Sequence, residues 1–104
     1  METILTNENF DSLINGDKPM LIDFYADWCG PCRMVSPVVD EVATDMADVI
    51  AVAKCNVDEN EELALKYGVM SIPTLIIFRD GAEVGRLVGA LPKEKLVEEI
   101  KRTI

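Results

Sequence analysis

The run Met20-Leu21-Ile22-Asp23-Phe24-Tyr25-Ala26, followed by Asp27-Trp28 and then Cys29-Gly30-Pro31-Cys32, decides how this chain folds. Its first seven residues are apolar at nearly every position, Asp23 being the exception. A short run of that kind fits a strand covered on both faces, as in a parallel sheet with helices above and below. Cys29 falls near an N-cap and Gly30-Pro31 enters a first helical turn. Val35, Val38, Val39, Val42 and Met46 then form the apolar stripe of a helix to about Met46, which Pro37 is expected to kink. The two cysteines therefore stand where a strand hands over to a helix, beside backbone N–H groups that have no helical partner.

Working outward from that junction, Thr6 reads as the N-cap of a helix reaching about Leu13 to Asn15, with Phe10, Leu13 and Ile14 on one face and Gly16 ending it. Downstream, Ile50 to Val57 reads as a strand, Glu61 to Tyr67 as a short helix stopped by Gly68, and Thr74 to Phe78 as another apolar strand. Asp80-Gly81 is a hairpin signal that turns the chain antiparallel into Glu83 to Val88. Pro92 opens a terminal helix in which Leu96, Ile100 and Ile104 share a face, Glu98 can pair with Arg102, and Lys101 and Arg102 complement the C-terminal end. The expectation is one α/β domain over residues 1–104, with a mixed sheet of four to five strands, helices on both faces, and a closing antiparallel hairpin and helix. No linker, repeat or low-complexity segment interrupts it.

Composition narrows the chemistry. The 104 residues are 49% hydrophobic and carry 19 acidic against 10 basic side chains, a net charge of −9, and no histidine. Without imidazole there is no Ser-His-Asp triad, no Cys-His dyad and no His metal ligand. The negative balance repels the phosphates on which nucleic-acid binding relies. The longest stretch without charge, Tyr67 to Phe78, is twelve residues, well short of the roughly 20 that a membrane helix needs. Nucleic acid and membrane are thus not expected partners. The opening Met1-Glu2-Thr3-Ile4 lacks the basic start and apolar run of a secretion signal, so a cytoplasmic, reducing location is expected.

The Cys29–Cys32 pair admits several readings that physical requirements reduce. A structural zinc site needs four Cys or His ligands, and only Cys55 could join the pair. Covalent haem attachment wants His after the second cysteine, where Arg33 stands. A purely structural bridge closing so small a ring contributes only about 2 kcal/mol and would be reduced in the cytoplasm. No metal or separate cofactor is expected, and a redox dithiol remains. The helix start favours a thiolate at Cys29, lowering its pKa and making it the nucleophile, while Cys32, one turn further in, is expected to be more shielded. Cys29 would attack a target disulfide, and Cys32 would then attack Cys29 and release the reduced target. Asp23 is costly as a carboxylate inside a doubly covered strand, so desolvation is expected to raise its pKa.

Trp28-Cys29-Gly30-Pro31-Cys32 after a strand holding Asp23, then Ile72-Pro73-Thr74, then Val88-Gly89-Ala90, resembles the bacterial-type thioredoxins over essentially the whole chain. The resemblance implies the thioredoxin fold and a protein-disulfide reductase acting in electron transport and redox homeostasis. It implies that Asp23 relays a proton from Cys32, that Lys54 approaches Asp23, and that Gly30 and Pro31 tune the pair toward reduction. Trp28, Ile72, Pro73, Gly89 and Ala90 would form a small, flat target-binding surface. The Ile72–Pro73 bond would be cis, although an ordinary X-Pro bond reads as trans. A thioredoxin reductase as electron donor, many disulfide-containing targets and a monomeric state complete the implied picture. Tyr25 stands where many relatives carry Trp, and Cys55 departs from the simplest family pattern and reads as a buried, inert thiol, the alternative being a regulatory or intermolecular disulfide. An adaptor role with a dispensable dithiol, and an oxidant or isomerase, are the rival readings.

Overall fold

A computed structural model describes residues 2–104. The strands are β1 (Glu2–Ile4), β2 (Met20–Tyr25), β3 (Ala51–Asn56), β4 (Thr74–Arg79) and β5 (Ala82–Val88); the helices are α1 (Phe10–Ile14), α2 (Gly30–Asp45), α3 (Glu61–Lys66) and α4 (Lys93–Thr103). They form one five-stranded sheet in the order β1-β3-β2-β4-β5. β3 runs parallel to both β1 and β2, while β2–β4 and β4–β5 are antiparallel. This is the mixed α/β architecture that the alternating apolar runs imply.

The pleat sends alternate residues of each strand to opposite faces. Met20, Ile22 and Phe24 of β2 join Phe10, Ile14 and Leu63 from α1 and α3 in one buried cluster, with Cys55 among them. Leu21 packs on the other face with Val35, Val39 and Val42 of α2 and Leu96 and Ile100 of α4. By the same alternation Asp23 points toward the α2 side, where an apolar side chain would be expected. It pairs in register with Lys54 of β3, two residues beyond Val52 on that face.

The hairpin follows from local chemistry. Asp80 and Gly81 have φ values of 54° and 80°, and positive φ at both central residues is the requirement of the turn that matches strand twist. The helix α2 continues through Pro37, whose missing N–H leaves the Arg33 carbonyl without its helical donor. The ammonium of Lys93 bridges Glu41 and Asp45, tying the start of α4 to α2.

Two local expectations differ from the structure, and one strand carries no sequence signal. Thr6 does not cap α1, whose N-cap is Asn9. Instead Thr6 and Asn9 bond reciprocally, each side-chain oxygen accepting from the other's backbone N–H, and this turn delays the helix to Phe10. Arg102 pairs with Glu99 rather than Glu98, because a three-residue offset brings those two side chains together as well as a four-residue one does. β1 is a strand with no periodic signal, since three residues are too few to show one; its register is imposed by pairing with Val52, Ala53 and Lys54.

Candidate active site

The C-terminal end of β2 and the N-terminus of α2 meet at Ala26, Cys29 and Cys32, which form a small buried cluster flanked by Tyr25, Val57 and Ile72. Cys29 is the N-cap residue of α2, extended at φ −87° and ψ 111°, and Pro31 stands in the first turn where its missing donor is harmless. Cys29 and Cys32 are joined by a disulfide, with Cα atoms 5.3 Å apart. The Cys32 N–H donates to Cys29 Sγ at 3.2 Å. A helix-start N–H aimed at sulfur, with the positive end of the helix dipole behind it, stabilises the thiolate that reduction would leave there.

In this disulfide form the two cysteines are almost equally covered, at 3% and 5% exposure, so the expected greater shielding of Cys32 is not what distinguishes them. Their surroundings do. Cys29 opens onto a groove of about 440 Å³ lined by Trp28, Pro31, Val57, Val69, Met70 and Ile72. Cys32 lines a smaller cleft of about 190 Å³ with Asp23, Tyr25, Asp27, Arg33, Ser36 and Lys54.

In the groove, Trp28 is 68% exposed and its indole N–H donates to Asp58 Oδ2 at 2.8 Å, which fixes the ring as a wall. The Ile72 carbonyl oxygen lies 3.8 Å from Cys29 Sγ. The Ile72–Pro73 bond is cis, and the Pro73 carbonyl accepts from the Gly89 N–H at 2.8 Å. The expected flat surface is thus a groove, and its membership differs from expectation. Pro73 is buried behind Ile72, Gly89 lies beside it at φ 91°, and Ala90 lines a separate shallow depression with Met34, Val35, Leu91 and Pro92. Val57, Val69 and Met70 are groove residues that the sequence does not mark as part of the site. Met70 is 95% exposed, and nothing in its local sequence marks it as part of this groove.

In the cleft, Asp23 is 1% exposed and its Oδ1 has no hydrogen-bond partner among the described residues. Burial pushes its pKa up from 3.8 to about 6, with Lys54 pulling the other way and Asp40 adding to the rise. Lys54 is not in contact with Asp23. Its Nζ donates to Ser36 Oγ at 2.9 Å, lies 3.9 Å from Glu2 Oε1 and sits 5.2 Å from the centre of the Tyr25 ring. Glu2, another residue absent from the sequence reading, is pushed up to about 7 by burial and by its hydrogen bond with the Asp40 carboxyl. Cys55 is fully buried on the opposite face of the sheet, and burial raises its thiol to about 11, so it stays protonated near neutrality. Among the described residues there is no group of three or more Cys, Asp or Glu placed to hold a metal ion, and no helix long and apolar enough to cross a membrane.

A sulfur that can leave as a stabilised thiolate, bonded to a second sulfur one turn away, is built to exchange disulfides, and an open groove lies beside it. Fold and site together define a dithiol–disulfide oxidoreductase. The thioredoxin family model matches residues 2–102. The thioredoxin of Alicyclobacillus acidocaldarius is 54% identical over 96 residues, covering 92% of this chain and 91% of the relative. Thioredoxin 1 of Synechococcus elongatus is 54% identical over 86% of this chain and 84% of its own length, and the thioredoxin of Rhodospirillum rubrum 46% identical over 90% of each. The chain belongs to the thioredoxin family.

Proposed function

We propose that this protein is a single-domain cytoplasmic reductant of protein disulfides, receiving two electrons from a thioredoxin reductase and passing them to many targets in turn. The observation that carries this reading is the division of the site: Cys29 faces an open apolar groove and Cys32 faces a small charged cleft. The reaction starts from the reduced form. The Cys29 thiolate attacks one sulfur of the target cystine, forming the mixed disulfide and expelling the other target sulfur as a thiolate. Cys32, deprotonated as it attacks, then displaces the second target sulfur from Cys29. The chain ends as the Cys29–Cys32 disulfide and the target as a dithiol, with two electrons transferred.

Asp23 is the group to accept the Cys32 proton. It lines the same cleft, it is the acid whose proton affinity burial has raised, and no histidine exists to compete for the task. Gly30 and Pro31 shape the turn between the sulfurs and so their poise, while Trp28 and Ile72 wall the groove around an extended target segment. Pro73 and Gly89, joined by a backbone hydrogen bond, support that wall from behind and beside it, and Ala90 extends the target-binding surface toward Leu91 and Pro92. An apolar groove with few fixed polar groups suits many flexible partners better than one small molecule.

Insulin reduction coupled to NADPH through a purified thioredoxin reductase tests the whole reading, with Asp23→Asn testing the proton step. The expected result is activity that requires both cysteines, and a slower second step in Asp23→Asn near neutral pH. Unchanged turnover of Asp23→Asn from pH 6 to 9 would remove Asp23 from the mechanism. Biological activity retained by the Cys29→Ser/Cys32→Ser protein would favour the adaptor reading.

A further inference from the structure

The cleft behind Cys32 contains a hydrogen bond that the exchange reaction does not require: Lys54 Nζ donating to Ser36 Oγ. Asp23 and Lys54 are cross-strand partners on one face of the sheet, and a buried carboxylate with an unpartnered oxygen would ordinarily draw such an ammonium into contact. Here the only carboxylate of the described residues within 4.0 Å of Lys54 Nζ is that of Glu2, on the edge strand. Ser36 lies on the first turns of α2, one turn beyond Cys32, and is itself part of the cleft wall.

We propose that Ser36 is a positioning residue for the reaction: its hydroxyl oxygen accepts from Lys54 and, with Glu2 beyond it, keeps the ammonium out of contact with Asp23. The consequence is a buried acid that feels the lysine only at a distance. Contact would pull the Asp23 proton affinity back toward that of an ordinary carboxyl group, far from that of the thiol with which it must exchange a proton. The proposal deepens the reading of Asp23 as proton acceptor and rests on it for its catalytic meaning.

The groups facing Asp23 and Lys54 come from four elements. Tyr25 is on β2 itself, Glu2 on β1, and Cys32, Arg33, Ser36 and Asp40 on α2, with Asp27 in the connecting turn. Of these, Ser36 is the uncharged residue that accepts a hydrogen bond from the ammonium, with the Tyr25 ring 5.2 Å away, so removing its hydroxyl changes the position of a charge without changing the total. When the hydroxyl is lost, Glu2 is the worse placed competitor, because it stands opposite Val52, whereas Asp23 is the residue directly opposite Lys54 on the adjoining strand. Glu2 Oε1 and Asp23 Oδ1 are both buried without a hydrogen-bond partner among the described residues, so it is this cross-strand placement that favours Asp23.

The test is the titration midpoint of the Asp23 side-chain carboxyl, followed by ¹³C NMR in the oxidised full chain. Ser36→Ala is expected to lower that midpoint by about half a pH unit or more, a threefold change in proton affinity. Ser36→Thr, which keeps the hydroxyl, is expected to leave it in place. In a Lys54→Met background the Ser36→Ala substitution is expected to have no effect, because the shift travels through the lysine. An unmoved midpoint in Ser36→Ala, or an equal shift with Lys54 absent, overturns the proposal. Its failure is separable from that of the proton-transfer reading: the NMR midpoint reports the charge around Asp23 whether or not the carboxyl moves a proton in turnover, and Asp23→Asn kinetics report the latter.

Discussion

The groove at Cys29 and the cleft at Cys32 are set by residues three positions apart, yet they are opposite environments. One is wide, apolar and walled by exposed Trp28 and Met70; the other is less than half its volume and holds a buried acid, an ammonium and a hydroxyl. The difference arises from the geometry of a helix start. One turn of α2 carries Cys32 off the sheet edge to a position over Asp23, while Cys29 stays at the N-cap facing the cis-proline loop. On the proposed function this separates partner contact from proton transfer, so each side can be varied without rebuilding the other.

The largest expected effect breaks the comparison at its shared disulfide. Cys29→Ser is expected to lose insulin reduction by roughly 10⁴-fold or more, as loss of a covalent nucleophile does elsewhere. Cys32→Ser is expected to keep the first step and accumulate a mixed disulfide, visible as a mass equal to chain plus target. If Cys29→Ser forms that adduct instead, the roles of groove and cleft are reversed.

Next in size is the cost of the buried acid. The folded protein holds the Asp23 proton more tightly than the unfolded chain does. Stability therefore falls as pH rises from about 3.8 to about 6, and the loss is complete above that window. The size of the shift corresponds to about 3 kcal/mol. Asp23→Ala is accordingly expected to melt higher than the parent at pH 7, to lose most of that advantage below pH 4, and to reduce targets more slowly. A variant that melts lower at pH 7 would show that Asp23 is not a strained buried acid.

Smaller effects sharpen each side in turn. Lys54→Met removes the one neighbour that lowers Asp23. Its titration midpoint is expected to rise by about one unit, and the fall in melting temperature with pH to extend above pH 6 accordingly. On the groove side, Met70→Ser is expected to leave the melting temperature unchanged, since Met70 is 95% exposed. It should raise KM for a protein disulfide about threefold with little change in kcat, the signature of lost uniform binding.

Much of this organisation could be read in the chain. The Cys29–Cys32 chemistry was legible because it depends on local features: a cap position, a first-turn proline and an offset of one turn. Asp23 was legible because one acid in an otherwise apolar strand is a conflict that only pairing or protonation relieves. The lining by Val57, Val69 and Met70 was not, because these residues reach Cys29 only when β3 and the loop before β4 are folded beside α2. Glu2 was missed for the same reason, being brought to Lys54 by a three-residue strand that has no pattern of its own.

By itself, then, the sequence determined the α/β class, the hairpin at Asp80-Gly81, and the identity of the two sulfurs and the buried acid, because periodicity, turn conformation and thiol chemistry are properties of neighbouring residues. Tertiary structure alone decided where Lys54 points. Asp23 and Lys54 lie 31 positions apart in the chain and side by side in the sheet, and no rule of composition chooses between Asp23, Ser36 and Glu2 as the lysine's partner. That choice depends on distances of a few ångströms among three elements, set by how α2 packs across the sheet and how β1 pairs along its edge.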